Sequence, residues 1–261
     1  RRLHSLSGLI PVGAYMCVHL AVNASVLNGA GTFQENVYNI HKLGRLLPLV
    51  EWTFIFLPIL FHAIIGVAII QGGLPNTTQY PYAANRRYTL QRVTGIIAFV
   101  FILIHVFHMH GWFNHSDSWM KNVVAPLGGG KFDPFSATST AGTALSGMLA
   151  VAIYVVGVLA CVFHLANGLW TMGITWGAWT SEHAQQRASW VCGVFGVLLA
   201  AVGLSALFGV RSAVATPQRK DAVEAIEAKI REHKIEAGLL DPSHASHHGA
   251  DADEAPEDAH E

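Results

Sequence analysis

Five apolar stretches, each long enough to cross a lipid bilayer, constrain this sequence more than any other feature. They cover about residues 5–27, 49–71, 93–112, 144–176 and 190–210. A membrane-spanning helix needs about 20 mostly apolar residues, whereas a spanning strand needs about half that number. The sequence therefore predicts an all-α integral membrane bundle of five transmembrane helices, and we expect the first stretch to be a true span because it lacks a small-residue cleavage site.

The charge distribution divides the chain into three regions. Only 13% of residues are charged, against about a quarter in soluble domains. Residues 1–210 hold 10 basic and 5 acidic side chains, whereas residues 211–261 hold 6 basic and 12 acidic ones. We predict a membrane anchor over 1–210, a charged amphipathic segment with a short helix over 211–240, and a disordered acidic tail containing histidines over 241–261.

One connection and the orientation of the chain follow from local composition. The glycine-rich sequence GGGKFDPFSATST, residues 128–140, predicts a non-helical loop. Lysine and arginine favour the cytoplasmic side of a membrane. Six arginines lie at one set of span ends, against four basic residues at the other: Arg1, Arg2, Arg86, Arg87, Arg92 and Arg187 against Lys42, Arg45, Lys121 and Lys131. This predicts an N-terminus inside and a C-terminus outside.

Two pairs of motifs recur along the chain. Phe-His-x-x-x-Gly occurs at residues 61–66 and again at 163–168, in the second and fourth spans. LHSLSG at 3–8 opens the first span, and LQRVTG at 90–95 opens the third. The first helical hairpin is thus echoed by the second, with one histidine inside each helix.

The four histidines inside the spans are His19, His62, His105 and His164. Ionisable residues in hydrocarbon are costly and normally face the bundle interior with a partner. Four imidazoles are the number needed for two six-coordinate haem irons, each held by two axial histidines. None of the three cysteines forms the C-x-x-C-H motif of covalently attached haem. The pattern therefore predicts two non-covalent haem b groups stacked across the membrane.

Membrane depth indicates which histidines pair. With a rise of about 1.5 Å per residue, His105 and His19 lie about 10 and 12 Å from the outer ends of their helices. By the same rise, His164 lies about 30 Å from the outer start of the fourth span. We therefore predict an inner haem between His62 and His164, and an outer haem between His19 and His105.

Residues near these histidines are candidates for the haem surroundings. Gly66 and Gly168 lie one turn after a histidine on the same helix face, where the missing side chain leaves room for a flat macrocycle. Tight helix packing by small residues is the alternative. The predicted propionate partners at the cytoplasmic ends are His4, Ser5, Arg2 and Arg92. Interfacial anchoring by arginine is the alternative for that group.

Four stretches carry a resemblance to a known family. RRLHSLSGLIPVG (1–13), FLPILFHAIIGV (56–67), LQRVTGI (90–96) and VFHLANGLWTMGITWG (162–177) resemble the cytochrome b558 subunits of succinate dehydrogenase, the five-helix, two-haem type related to fumarate reductase anchors. The resemblance covers roughly residues 1–210. The family's axial histidines correspond to the same four histidines, and no counterpart is evident for the segment beyond.

The resemblance implies partners and a reaction. A flavoprotein subunit and an iron–sulfur subunit would dock on the cytoplasmic face of a bacterial inner membrane and would carry the succinate site. Electrons would pass through the two haems to a quinone, typically menaquinone, near the outer side. Lipid is the remaining partner, no nucleic acid is expected, and a higher oligomer of the complex stays open.

Glu51 is a candidate proton acceptor for the quinol. It lies at the outer entrance of the second span, where a carboxylate partly removed from water could exchange protons with a quinol. The alternative is an exposed helix-start carboxylate favoured by the helix dipole.

Two other functions stay open at this point. One is a two-haem cytochrome b subunit of a different membrane dehydrogenase, such as formate dehydrogenase or hydrogenase, although those usually have four helices and place their histidines differently. The other is a haem-free anchor or transporter in which the histidines serve protons or metal ions. Optical spectra of the purified protein would separate haem-containing from haem-free alternatives.

Overall fold

A computed structural model of the chain describes residues 2–73, 76–110 and 120–242, with only the backbone at residues 120 and 121. Within these ranges the protein is helical and contains no strand. A π-helical turn occupies Met120–Val124. The longer helices are α1 (Arg2–Asn28), α2 (Ala30–His41), α3 (Gly44–Gln71), α4 (Ala83–Met109), α5 (Ala137–Ala144), α6 (Met148–Thr175), α7 (Glu182–Ala213) and α8 (Pro217–Glu236).

The five predicted spans are confirmed as α1, α3, α4, α6 and α7, each long and apolar enough to cross a membrane. In the bundle, α6 packs between α4 and α7, while α1 packs on α7 and α3. Large apolar side chains point outward, including Leu149 at 75% and Trp190 at 74% exposure. Such surfaces would be an aggregation liability in water and suit contact with lipid, so the chain is a multi-pass membrane protein.

Four of the spans begin earlier than predicted, and the difference is largest for α4 and α7. Helix α4 begins at Ala83 rather than near residue 93, and Arg87 in its second turn donates hydrogen bonds to side chains of α6 and α7. Helix α7 begins at Glu182 rather than near residue 190, and the Ser181 hydroxyl caps it by accepting a hydrogen bond from the Ala184 amide at 3.2 Å. An N-cap serine satisfies a backbone donor that the first turn leaves without a partner.

The prediction of a non-helical segment over residues 128–140 is wrong at its end, because α5 begins at Ala137. This short helix carries small residues that let it lie buried against α2, α7 and α8. Its second and third backbone amides, at Thr138 and Ser139, donate to the Glu227 carboxylate at 2.6 and 3.1 Å. That contact joins residues almost ninety positions apart, so local composition did not indicate it.

The predicted charged segment forms α8, which begins after Thr216 with Pro217 in the first turn. Proline is favoured there because its missing N–H is not needed. The helix packs on α2 and α5, and Lys234 pairs with Glu35 at 2.9 Å. Beyond Asp241 and Pro242, the predicted disordered tail lies outside the described residues.

Candidate haem sites

We call the end of the bundle at which α1 begins the inner end, and the opposite end the outer end. His62 on α3 and His164 on α6, the inner pair, face each other with ring centroids 6.1 Å apart and planes at 89°. The His62 Nδ1 lies 2.9 Å from the carbonyl oxygen of His4, and the His164 Nδ1 lies 3.0 Å from that of Gln91. A carbonyl can only accept, so each Nδ1 carries the proton, and each Nε2 presents its lone pair. This tautomer is the one that metal-binding histidines adopt when a backbone carbonyl orients them.

Two glycines allow the inner imidazoles to lie directly on neighbouring backbone. A Cβ atom built at Gly8 would lie 2.6 Å from the His62 Nδ1, and one at Gly95 would lie 2.8 Å from the His164 Cε1. Real Cβ atoms essentially never approach other atoms closer than 3.0 Å. Any side chain at either glycine would therefore displace the imidazole.

These contacts confirm the repeat in three dimensions. In the first hairpin, the carbonyl of His4 and the backbone of Gly8 hold His62. In the second, Gln91 and Gly95 hold His164 in the same way. The LHSLSG and LQRVTG motifs are evident in the sequence, but the contact of their glycines with the two imidazoles was not predicted from it. The signal was present, since each glycine follows the hydrogen-bonding residue by four positions, one helical turn.

The outer pair is His19 on α1 and His105 on α4, with ring centroids 5.8 Å apart and planes at 76°. The His105 Nδ1 lies 3.2 Å from the hydroxyl of Tyr154, which also lies 2.9 Å from the His108 Nδ1. Phe101 stacks against the His105 ring, with centroids 5.7 Å apart. A side-chain hydroxyl thus replaces the backbone carbonyl of the inner pair.

The spacing of both pairs, 6.1 and 5.8 Å between ring centroids, is compatible with two imidazoles on one metal ion. A metal–imidazole bond is about 2 Å long. Since the ring centre lies about 1 Å beyond the nitrogen, two imidazoles on opposite sides of one ion have centres about 6 Å apart. Across the described ranges, no group of three or more His, Cys, Asp or Glu side chains is arranged to hold a metal ion. Each pair presents two imidazoles, so a cofactor that holds its own metal would fit this ligand set better than a bare ion.

The predicted glycines beside the inner pair face polar side chains. A Cβ at Gly66 would lie 3.3 Å from the His4 Nε2, and one at Gly168 would lie 3.4 Å from the Gln91 Nε2. The His4 ring stacks on His62 with centroids 4.0 Å apart. Its Nε2 is buried and has no hydrogen-bond partner among the described residues, so it could bind an anionic group placed there.

The other predicted propionate partners lie at the inner end. The Arg92 guanidinium donates to the carbonyls of Ile69 and Ile70 near the end of α3 and to that of Gly73, two residues after the helix. The Ser5 hydroxyl accepts from the Trp176 indole at 3.1 Å, and Arg2 lies over that ring at 5.7 Å. These contacts leave donors on both guanidinium groups, and propionate binding stays a prediction.

A hydrogen-bonded network that sequence reasoning missed supports His164. Arg87 donates to the side-chain oxygen of Asn167 at 2.8 Å, and the side-chain NH2 of Asn167 donates to the side-chain oxygen of Gln91 at 2.8 Å. The side-chain NH2 of Gln91 then donates to the backbone carbonyl of His164 at 3.0 Å. The Arg87 guanidinium also stacks on Trp170, 3.9 Å from the ring centroid. The network fixes α4 against α6 at the level of the inner pair.

Glu51 lies towards the outer end, on α3. Its carboxylate is 3.8 Å from the His110 Nε2, a partner that sequence reasoning did not assign. A half-buried carboxylate beside an imidazole is an arrangement that can exchange protons with a bound molecule.

Comparison with known proteins adds one substantial similarity. The chain is 36% identical over 209 residues to the succinate dehydrogenase cytochrome b558 subunit of Bacillus subtilis (strain 168). The matched region covers 80% of this chain and 94% of that protein. No family model matches the chain.

Proposed function

The chain belongs to the family of succinate dehydrogenase cytochrome b558 subunits, and from that premise we propose that it passes electrons from an iron–sulfur subunit to a quinone. The observation that carries the proposal is the presence of two facing histidine pairs at different levels of one membrane bundle. Paired imidazoles inside a bilayer are costly unless they bind something.

We propose that the inner pair, His62 and His164, and the outer pair, His19 and His105, each hold one non-covalent haem b. Haem bound at the two pairs would supply one-electron redox chemistry at two depths of a hydrocarbon layer about 30 Å thick. The protein contributes the orientation of the ligands. At the inner pair, the carbonyls of His4 and Gln91 fix the proton on Nδ1, which makes Nε2 available and more basic towards iron.

The inner end is proposed to face the cytoplasm, where flavoprotein and iron–sulfur subunits would dock and act on succinate or fumarate. The excess of arginine at this end supports the orientation. The buried His4 Nε2, without a partner among the described residues, would meet a haem propionate, together with Ser5, Arg2 and Arg92. Gly66 and Gly168 would border the same haem.

The outer end is proposed to be the place of quinone chemistry, with menaquinone as the expected quinone. A quinol must lose protons as well as electrons when it is oxidised. Glu51, 3.8 Å from His110, would accept or return such a proton, because a carboxylate and an imidazole in contact can share one.

The experiment is to purify the chain from membranes in mild detergent and test which proteins accompany it. We expect subunits carrying flavin and iron–sulfur clusters, and succinate-dependent reduction of a menaquinone analogue by the complex. A His183→Ala variant, which changes an exposed histidine at the start of α7, should behave like the unaltered chain. Unchanged succinate:quinone activity in membranes lacking the chain would contradict the proposal.

A further inference from the structure

On the basis of the proposed function, we infer that Tyr154 is a positioning residue for the outer haem, whose hydroxyl holds His105 by its Nδ1 and links it to His108. The inference concerns how one axial ligand is oriented and made basic. Backbone carbonyls do this at the inner pair, whereas a side chain does it at the outer pair.

Tyr154 is placed for this role by packing as well as by its hydroxyl. The residue is only 6% exposed, on α6. Its ring meets His105 and His108 edge-on, both at 71°, with centroids 5.5 and 5.8 Å apart. Phe101 contacts it from the side, at a centroid distance of 5.3 Å. Gly157 makes room for that phenyl ring, because a Cβ there would overlap it.

The two hydrogen bonds at Tyr154 are compatible with an arrangement of protons in which His105 donates and His108 accepts. A phenol has a single proton to donate, so it can donate to only one of the two Nδ1 atoms. If the Nε2 of His105 binds iron, its Nδ1 carries a proton and donates to the Tyr154 oxygen at 3.2 Å. The hydroxyl proton is then donated to the His108 Nδ1 at 2.9 Å. In this order both contacts are satisfied, and the phenol uses its proton as well as its oxygen.

This arrangement has a consequence for the redox properties. An acceptor at the distal nitrogen of a metal-binding imidazole raises its basicity and favours the more highly charged iron. Hydrogen bonds around the ligands are among the means by which a protein sets a haem potential. Loss of the Tyr154 hydroxyl should therefore move the outer haem to a more positive midpoint potential and leave the inner haem unchanged.

The experiment is a redox titration of the purified complex with Tyr154→Phe, followed by the optical spectra of both haems. The phenylalanine ring keeps the contacts with Phe101 and removes only the hydroxyl. Tyr15→Phe is the matched control, since Tyr15 stacks on His19 of the same pair at 5.5 Å and its hydroxyl makes no hydrogen bond to a histidine within the described residues.

We expect two haems in Tyr154→Phe, a positive shift of the outer one alone, and no shift in Tyr15→Phe. Selective loss of the outer haem would also support the inference, because ligation itself would then depend on the hydroxyl. An unchanged outer potential, or an equal shift in both haems or in the control, would overturn it. A wild-type complex without haem would instead remove the proposed function.

If the Tyr154→Phe complex does not assemble, His108→Leu provides the test. Without His108, the hydroxyl has no acceptor that fixes its direction, although its oxygen can still accept from His105. The outer haem should shift to a more positive potential, and the inner haem should keep its own. An outer potential equal to that of the wild type would count against the link.

Discussion

The inner and outer histidine pairs have nearly the same spacing, 6.1 and 5.8 Å between ring centroids, yet they are held differently. The inner imidazoles bind backbone carbonyls and lie on glycines, in two hairpins that repeat each other. The outer His105 depends on the hydroxyl of Tyr154 at 3.2 Å, whereas the only side-chain hydroxyl near an inner Nδ1 among the described residues, that of Ser7, lies 3.5 Å from His62. A main-chain acceptor is not removed when the side chain of its residue is changed, whereas the Tyr154 hydroxyl is lost in a single substitution.

Removing an inner ligand should have the largest effect, because it should abolish one haem site and leave the other intact. His62→Ala or His164→Ala leaves an iron with one protein ligand, so we expect loss of the inner haem, retention of the outer one, and no electron transfer to quinone. The measurement is the low-temperature optical spectrum together with succinate:quinone activity. His183→Ala is the control, and two intact haems in either inner variant would show that the pairing is wrong.

Glu51→Gln tests whether proton exchange belongs to the outer end alone. The amide keeps the shape of the side chain but cannot accept a proton, and general acid–base groups typically contribute about a hundredfold or more to rate. We expect quinone reduction to slow by about that factor, with both haem spectra unchanged. Turnover equal to that of the wild type would exclude Glu51 from the reaction.

Gly95→Ala tests whether the close contact between the α4 backbone and the His164 ring is needed to hold the inner haem. A Cβ at this position would lie 2.8 Å from the His164 Cε1, so the imidazole must move. Forcing an extra methyl into a packed site costs about 1–3 kcal/mol, and we expect partial loss of the inner haem alone during detergent purification. Gly193→Ala is the matched control, because a Cβ there meets nothing within 4 Å. Equal haem loss from both variants would contradict the assigned role.

The smallest effect on the histidine pairs is expected from a change in α5 and α8, the helices that cover the outer end. Glu227→Ala leaves the Thr138 and Ser139 amides without their acceptor, a loss of about 1–3 kcal/mol. Amide hydrogen exchange of α5 and α8 should accelerate, while exchange around the inner pair stays unchanged. Glu224→Ala, at an exposed pair with Lys220, is the control, and it should leave the exchange of α5 as it is.

The same carboxyl predicts a pH dependence. Burial raises the pKa of Glu227 above its ordinary value of 4.5. A group whose pKa is raised by folding stabilises the folded state fully below its unfolded pKa, and that stabilisation is lost as the pH rises through the folded pKa. The packing of α8 on α5 should therefore weaken as the pH rises from 4.5. The measurement is amide hydrogen exchange of α8 at several pH values, corrected for the intrinsic exchange rates. Glu227→Gln should lack this dependence.

The sequence predicted the inner pair and its repeat because the signals are local. The F-H-x-x-x-G motif fixes His62 and His164 on their helices, and the motifs at 3–8 and 90–95 mark the backbone that receives them. The five spans follow from length and apolar composition in the same way. The roles of Gly8 and Gly95, and the network that joins Arg87 to Gln91, needed three-dimensional contacts.

The support of the outer pair could not be predicted, because no repeated motif marks the side chain that provides it. Tyr154 lies 49 residues from His105 and 46 from His108, inside an apolar run where a tyrosine suggests packing. The start of α5 was missed for the same reason, since its acceptor, Glu227, belongs to a helix that composition alone marks as solvated. Long-range hydrogen bonds leave no periodic trace in a single sequence.

Counting haem in the purified native complex decides whether the four histidines serve as proposed. Extracted haem, quantified against the amount of this chain, should give two haem b groups per chain, both released without breaking a covalent bond. A folded complex with all its subunits that contains no haem would contradict the assignment of both pairs.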